Sequence, residues 1–472
     1  MAGRFLNMFK PLARFIPEVK APERRVSFNE KLFWTAIALI IYLIMASNAC
    51  SLYGIQRSEE FAPLRIIFAS SRGTLMELGI GPIVTAGLIL QLLVGSAMIE
   101  CDMSKPEDRA LFTTASKVLA IILTSVQASA YIISGMYGNL SGTTAIIVFL
   151  QLIAAGFIVL LLDELIQKGW GFGSGISLFI MAGVAQQIFL QCFDISGAVD
   201  EYYVHGIFPA LASAIINGKP ITGLWLRGNL PSLIGFIATI AAFLVIIYME
   251  GVRVELPLSY AGYRGFRSRY PIKLLYVSNL PVIFASALFA NIYFFSYLLW
   301  SQPWGKDNPW IQLLGSYRRD PNSNQYVPAG GLVYFVTSPG NLTNVMREPL
   351  RAVGYLAILI VFCVIFSLTW LEVGGLGPST VAKQLVDAGM QIPGYRRSGK
   401  AVEQILKRYI PTVTILGGII VGLIAGLSDF FGVFGSGIGI LLSVGIIYQY
   451  YEILVRERAA EMYPAFRRIF GE

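Results

Sequence analysis

The chain has 472 residues, 55% hydrophobic and only 14% charged, with a formal net charge of +8 and a mean hydropathy of +0.65. An ordinary soluble domain carries about 25% charged residues, and a soluble chain of this length divides into two or three domains. Here the apolar residues fall in long blocks, each near the ~20 residues that cross a ~30 Å hydrocarbon core as a helix, which excludes an ordinary soluble protein and makes the chain membrane-embedded.

Residues 1–31 contain no continuous apolar core and carry Pro11, Pro17 and Pro22, so they do not read as a signal peptide. Phe5, Met8, Phe9, Leu12, Phe15 and Ile16 recur at helical spacing, with Lys10 and Arg14 among them. That is the pattern of a short amphipathic helix on the membrane surface. Windows of about 19 residues then predict ten spans, at 32–49, 75–98, 114–134, 144–162, 173–193, 231–249, 272–299, 350–371, 409–427 and 434–454. The chain divides into an N-terminal segment (1–31), a first half of spans one to five (32–193) and an external loop (194–230). A second half of spans six to ten follows (231–454), with basic loops at 251–271 and 373–408, and then a tail (455–472).

One apolar stretch is too short to cross. Phe61 to Ser71 would rise only about 16 Å as a helix, and runs of that length belong to re-entrant or interfacial segments. It precedes the second span on the outer side, as a half-helix folded into a cavity or as a surface helix.

Lys and Arg concentrate on the cytoplasmic side of membrane proteins. With the N-terminus inside, the inner segments hold 26 of the 36 Lys and Arg residues and the outer segments 10. Both termini are therefore expected in the cytoplasm. The net charge is then largely topological and calls for no nucleic-acid partner.

Two segment pairs echo across the chain. Gly173-Ser174-Gly175-Ile176 opens the fifth span and Gly435-Ser436-Gly437-Ile438 the tenth; PIVTAGLILQ from Pro82 resembles PVIFASALFAN from Pro281 in the seventh. The pairing implies a repeat of five spans plus five. Five is odd, so the second copy is inverted, and such repeats place a shared pathway at their interface.

The chemistry that is missing narrows the function. GFGSGIS at Gly171 to Ser177 lacks the Lys-Ser/Thr ending of a phosphate-binding loop; its glycines read as sites of close helix packing. No HExxH or GxSxG motif occurs. Glu77, Asp163, Glu164, Glu250, Glu372 and Asp429 all fall at span ends or in loops, whereas ion-coupled transporters keep an ionisable group near the midplane. Thr85, Gln91 and Asn291 are the polar residues well inside spans, and each alone would make a helix–helix hydrogen bond. Cys50, Cys101, Cys192 and Cys363 form no CxxC pair; Cys50 and Cys192 share the outer face, which leaves one disulfide open in a chain with no other sign of stapling. His205 has no second ligand at metal-binding spacing and reads as a solvated loop residue. No catalytic residue, cofactor or metal is expected. An inverted-repeat secondary transporter for a small solute is the main alternative to a passive channel, ahead of a membrane-embedded enzyme.

Seven stretches, in order along nearly the whole chain, carry a resemblance. They are Ile16-Pro17-Glu18-Val19, RGTLMELGIGPIVTAGLILQLLVGS (Arg72 to Ser96), PEDRALF (Pro106 to Phe112), GFGSGISLFI (Gly171 to Ile180), YPIKLLYVSNLPVI (Tyr270 to Ile283), KRYIPT (Lys407 to Thr412) and GSGIGILLSVGIIYQYYE (Gly435 to Glu452). They resemble the archaeal and eukaryotic branch of SecY, the α subunit of the Sec translocon, and ERAAEMYPA at Glu457 to Ala465 looks archaeal. Cys50-Ser51-Leu52-Tyr53-Gly54 departs from the family where many members have a Pro.

The resemblance implies an all-α membrane protein, with ten transmembrane helices as two inverted five-helix halves around a central pore and a short re-entrant plug helix. It implies a pore ring of Ile80, Val84, Ile176, Ile180, Ile283 and Leu442, which would dewet and block ions while offering no fixed bonds to a passing peptide. The plug would be 61–71, with Phe61, Leu64, Arg65, Ile66, Ile67, Phe68, Ala69 and Ser70. Spans two, three, seven and eight would form a lateral gate carrying Thr85, Gln91 and Asn291. The basic loops, through Arg264, Arg267, Arg269, Lys273, Arg396, Arg397 and Lys400, would dock ribosomes by salt-dependent contact with RNA phosphate; without the resemblance they read equally well as topology signals. Expected partners are a SecE-like γ subunit, a small single-span β subunit, the ribosome, nascent polypeptides with signal sequences, and membrane lipid. The expected location is the cell (plasma) membrane of an archaeon, with the endoplasmic reticulum membrane as the alternative.

Overall fold

The computed structural model describes residues 8, 11, 17–47, 50–55, 73–95, 98–99, 101, 106–133, 137, 140–195, 198–200, 203–227, 230–260, 267–275, 280–302, 304–306, 308–319, 326–387, 390–391 and 399–462. Ten apolar helices, numbered here in chain order, are α1 (Phe28–Ala46), α2 (Gly81–Gly95), α3 (Pro106–Ile133), α4 (Gly142–Leu165), α5 (Gly175–Phe193), α6 (Leu233–Gly251), α7 (Leu280–Ser301), α8 (Pro349–Val373), α9 (Gly399–Phe430) and α10 (Gly437–Met462). The expected plug, 61–71, and most of the expected N-terminal surface helix lie outside the described residues.

Local sequence explains several starts. Ser27 and Glu30 form a reciprocal capping box at α1, and Ser141 and Ser232 accept first-turn amides of α4 and α6. Among the described residues, nine of the ten helices are long and apolar enough to cross a membrane. The exception is α2, whose 15 residues rise about 22 Å. The rest of its expected span, from Leu75, is a folded turn in which Met76, Glu77, Leu78 and Ile80 are buried. Leu52 donates to the Gly73 carbonyl and Leu75 to that of Cys50. Non-helical backbone at membrane depth is tolerated where protein covers it.

Other helices outrun the hydropathy windows. α3 begins at Pro106 rather than 114, α10 runs to Met462, and α9 begins at Gly399, inside the stretch read as the loop 373–408. At 32 residues, α9 rises about 48 Å and projects from the hydrocarbon core. Windows of mean hydropathy find the apolar part of a helix and stop where polar turns emerge into water.

The all-helical expectation holds inside the membrane and yields outside it. Strand Arg253–Tyr260 pairs antiparallel with Arg267–Lys273, from Arg253↔Lys273 to Ser259↔Arg267. Its far end pairs with Met390–Gln391, so the two basic loops share one three-stranded sheet. Between α7 and α8, Ser316–Arg319 and Tyr326–Gly330 form a hairpin whose Tyr317 and Tyr326 pack on Tyr293, Tyr297 and Trp300 of α7. These strands are short and alternate in polarity, a signal that a search for long apolar blocks passes over.

All four cysteines are free thiols. His205 is partly exposed, with its Nδ1 3.4 Å from the Asp194 carboxylate. At one end of the bundle the buried Glu164 of α4 takes Lys117 and Lys168, each at 2.7 Å. Both lysines also reach Glu18, at 3.6 and 2.5 Å, and Trp170 donates to the Lys20 carbonyl. These contacts staple the N-terminal segment to α3 and α4. The hydrogen bond from Lys168 holds the Glu18 carboxyl below the usual carboxylate range, against a smaller effect of partial burial. A depressed carboxylate supports the fold above its ordinary titration range and loses that effect only as pH falls through the lowered value, so this staple persists in mild acid.

Lys117→Ala leaves the buried Glu164 with one cation instead of two and is expected to cost about 1–3 kcal/mol, read as a lower Tm in detergent. Arg24→Ala removes an exposed pair with Glu30 and is expected to leave Tm unchanged, because such pairs contribute about 0–1 kcal/mol.

Candidate functional site

All six apolar residues expected in the ring meet in the largest hydrophobic cluster. Ile80, Ile180 and Leu442 are fully buried in it, and Val84, Ile176 and Ile283 pack against it partly exposed. They come from the turn before α2, from α2, and from α5, α7 and α10, so both halves of the chain contribute. Ile180 and Leu442 stand at the same offset in the two GSGI echoes, and Val84 and Ile283 at the same offset in the two Pro-led echoes. The expected ring thus consists largely of repeat-related pairs.

The junction of α5 and α10 carries the repeat symmetry in its contacts. Gly173 (φ +66) lies against Tyr450 and Ile453, and Gly435 (φ +73) against Ile188 and Val184. Both glycines take the left-handed backbone that side chains rarely adopt. The Tyr450 hydroxyl donates to the Ser174 carbonyl at 2.9 Å, and the Gly435 amide donates to Gln191 Oε1 at 3.1 Å. Ile188 corresponds to Tyr450, and Gln191 to Ile453, under the offset that relates Gly173 to Gly435. The start of α5 therefore rests on the middle of α10, and the start of α10 on the last turns of α5.

The expected gate residues divide. Asn291 Nδ2 on α7 donates to Thr85 Oγ1 on α2 at 3.1 Å and to its own Ala287 carbonyl at 2.7 Å. Gln91 does not share in this: its Oε1 is shielded from solvent and has no hydrogen-bond partner. The α2–α7 seam is thus held by one side-chain bond between the three. Nearby, Tyr131 of α3 meets Phe294 of α7 edge-on at 4.9 Å, so all three helices converge there.

The basic cluster is only partly described. Arg264, Arg396 and Arg397 lie outside the described residues, and Arg267 is placed by its backbone in the sheet. Arg269 pairs with Glu255 at 2.6 Å and keeps 77% of its side chain exposed. Lys273 pairs with Glu452 at 3.2 Å and lies over the Tyr448 ring. Lys400 is exposed in the first turn of α9.

Two buried carboxylates that hydropathy alone left idle are fully engaged. Asp163, in the last turn of α4, accepts the Ile176 amide at 2.9 Å and Gln167 Nε2 at 2.8 Å. Asp429, in the last turn of α9, accepts the Gly437 amide at 2.6 Å and the Tyr355 hydroxyl at 2.9 Å. An aspartate near the end of the helix before each GSGI echo was the available signal.

A model of the SecY family matches residues 74–451, most of the chain. The chain belongs to the SecY family. It is 42% identical over 470 residues to the protein transport protein Sec61 subunit alpha of Dictyostelium discoideum, covering 97% of this chain and 98% of the relative. It is 40% identical over 476 residues to the protein translocase subunit SecY of Pyrococcus furiosus, covering 98% of each. Among solved structures it resembles one described as a protein conducting channel, with a TM-score of 0.82 and 39% identity over 97% of this chain and 98% of that one. It also resembles Sec61 in a canine ribosome-channel complex from the endoplasmic reticulum, with a TM-score of 0.79 and 39% identity over the same shares. These likenesses favour a channel of the SecY type over a solute transporter, and the relatives are named as translocation subunits rather than enzymes.

Gln91→Leu removes an unpaired acceptor and is expected to leave Tm unchanged or raised. Asn291→Leu strips Thr85 of its donor and is expected to cost about 1 kcal/mol. Thermal unfolding of the purified protein in detergent distinguishes the two.

Proposed function

We propose that this chain is the central subunit of a protein-conducting channel, which moves secretory polypeptides across a membrane and releases transmembrane segments sideways into lipid. The observation that carries this reading is the single uncharged cluster in which Ile80, Val84, Ile176, Ile180, Ile283 and Leu442 meet from both halves of the repeat. An apolar constriction dewets and stops ions when empty, yet makes no directional bond that would arrest a passing chain. The driving force comes from outside, in keeping with the absence of any nucleotide-binding motif in the sequence.

The lateral exit lies between α2 and α3 on one side and α7 and α8 on the other. Its polar tie, Thr85 to Asn291, is worth about 0.6 kcal/mol by the average for such bonds in membranes. A signal helix gains roughly 0.3–0.6 kcal/mol for each Leu, Ile or Val it places in lipid, so a few such residues offset the opening of the seam. The segment 61–71 acts as the plug of the outer funnel.

Both termini face the cytoplasm, supported by the 26-to-10 split of Lys and Arg. On that side the sheet joining the two basic loops gathers Arg253, Arg267, Arg269 and Lys273 on one platform, with Lys400 on α9 nearby in sequence to its third strand. The platform docks ribosomes, a reading supported by the likeness to Sec61 in a ribosome-channel complex. A SecE-like γ subunit and a small single-span β subunit complete the assembly. The membrane is the cell membrane of an archaeon, a reading carried by the ERAAEMYPA ending; the 42% identity to a eukaryotic Sec61 subunit keeps the endoplasmic reticulum as the alternative.

A photoreactive residue at Val84 or Ile180 is expected to crosslink to a stalled nascent chain, and absence of any crosslink at both would remove the pore assignment. Charge reversal at Arg264, Arg267 and Arg396 is expected to weaken ribosome co-sedimentation, most clearly as salt rises; unchanged co-sedimentation at low salt would refute the docking role.

A further inference from the structure

We propose that Asp163 and Asp429 are positioning residues with matching roles in the two halves, each fixing the first turn of a ring-bearing helix and so setting the bore of the closed ring. This rests on the ring reading above and goes beyond it by naming what holds the ring in place.

The two sites share one design. In each, the last turn of an odd-and-even pair of helices, α4 before α5 and α9 before α10, supplies an aspartate whose Oδ1 takes an amide at the start of the next helix. The other oxygen is held by a side-chain donor, Gln167 in one case and Tyr355 in the other. The first amides of a helix have no partner within it, and a carboxylate there is further favoured by the helix dipole. At α5 the N-cap residue Ser174 makes no side-chain capping bond, so the cap comes from the preceding helix. At α10 the Ser436 hydroxyl accepts the Gly439 amide while Asp429 takes that of Gly437.

The geometry couples these caps to the ring directly. The amide held by Asp163 belongs to Ile176, a ring residue, and Ile180 lies one turn further along α5. Leu442 stands as far beyond Gly437 as Ile180 stands beyond Gly175. Neither helix start has room to shift. A Cβ on Gly175 would lie 2.7 Å from the Asp163 backbone, and one on Gly437 would overlap the Ala425 carbonyl oxygen. Tyr355 extends the second cap to α8, a wall of the lateral exit, so Asp429 also joins the gate to the helix that carries Leu442.

The test uses the channel complex purified with its partner subunits and reconstituted in planar bilayers, with resting ion conductance as the readout. Asp163→Ala and Asp429→Ala are each expected to raise resting conductance about tenfold, the shift in a closed–open balance that follows from losing the buried hydrogen bond to the helix-start amide. Asp163→Asn and Asp429→Asn keep a carbonyl acceptor for the amide and are expected to stay close to the unmodified channel. Ile180→Gly, which removes a ring side chain itself, is the reference for a broken seal. If Ile180→Gly leaks while both alanine variants assemble and stay tight, the positioning role is wrong and the ring reading stands. If Ile180→Gly is also tight, the ring reading fails and takes the proposal with it. Should an alanine variant not assemble, Asp163→Ser and Asp429→Ser, whose hydroxyls fall one bond short of the amide, carry the same comparison; tight channels there overturn the proposal.

Discussion

The contact between α5 and α10 is the constraint on which the rest of the architecture depends. Each helix is preceded by a glycine in the left-handed region that is set against the body of the other, and each meeting point carries one hydrogen bond. A side chain at Gly173 or Gly435 would have to adopt a strained backbone and enter space already filled by Tyr450 or Ile188. Because the two meeting points are related by the repeat, the halves of the chain join head to tail, and the ring-bearing turns of α5 and α10 face one another at the same depth.

From that junction follows a division between a fixed side and a yielding side. At α5 and α10 the backbone is capped by buried carboxylates and packed without room for an extra methyl group. Across the bundle, α2 and α7 are tied by one neutral bond between Asn291 and Thr85, and the Gln91 carbonyl beside it is unpaired. Packing and bonding energy are thus spread unevenly around the ring. In lipid, where the hydrophobic effect does not distinguish a helix from an acyl chain, such differences set the relative strengths of the seams between helices.

Charge is arranged on the same principle. Asp163, Glu164 and Asp429 sit in terminal turns, where amide groups, lysines and a tyrosine hydroxyl engage them, and the expected ring is purely apolar. Glu164 with its two lysines binds the N-terminal segment to the bundle, Asp163 and Asp429 cap helices, and the remaining basic residues concentrate on the platform formed by the two basic loops. None of these groups stands in the ring cluster, so nothing there competes for the charges of a passing chain.

The number of spans and the pairing of the fifth with the tenth were legible in the sequence, and the orientation is inferred from Lys and Arg placement alone. Apolar length, the placement of Lys and Arg, and the two GSGI echoes are local properties that need no knowledge of contacts. The ring expected at Ile80, Val84, Ile176, Ile180, Ile283 and Leu442 came from family resemblance alone, since an Ile in a span has the same hydropathy facing a pore, a neighbour or lipid; the structure brings the six into one cluster. What only the tertiary structure decided were the meetings between distant segments. It showed that α2 is short because its approach is a buried turn, that the two basic loops share a sheet, and that Gln91 stands outside the Thr85–Asn291 bond. It also showed that Asp163 and Asp429, which hydropathy places harmlessly at span ends, are caps. Hydropathy sums over one stretch of chain at a time. A hydrogen bond or a close contact depends on two stretches at once, and their relative placement is set by packing of the whole bundle.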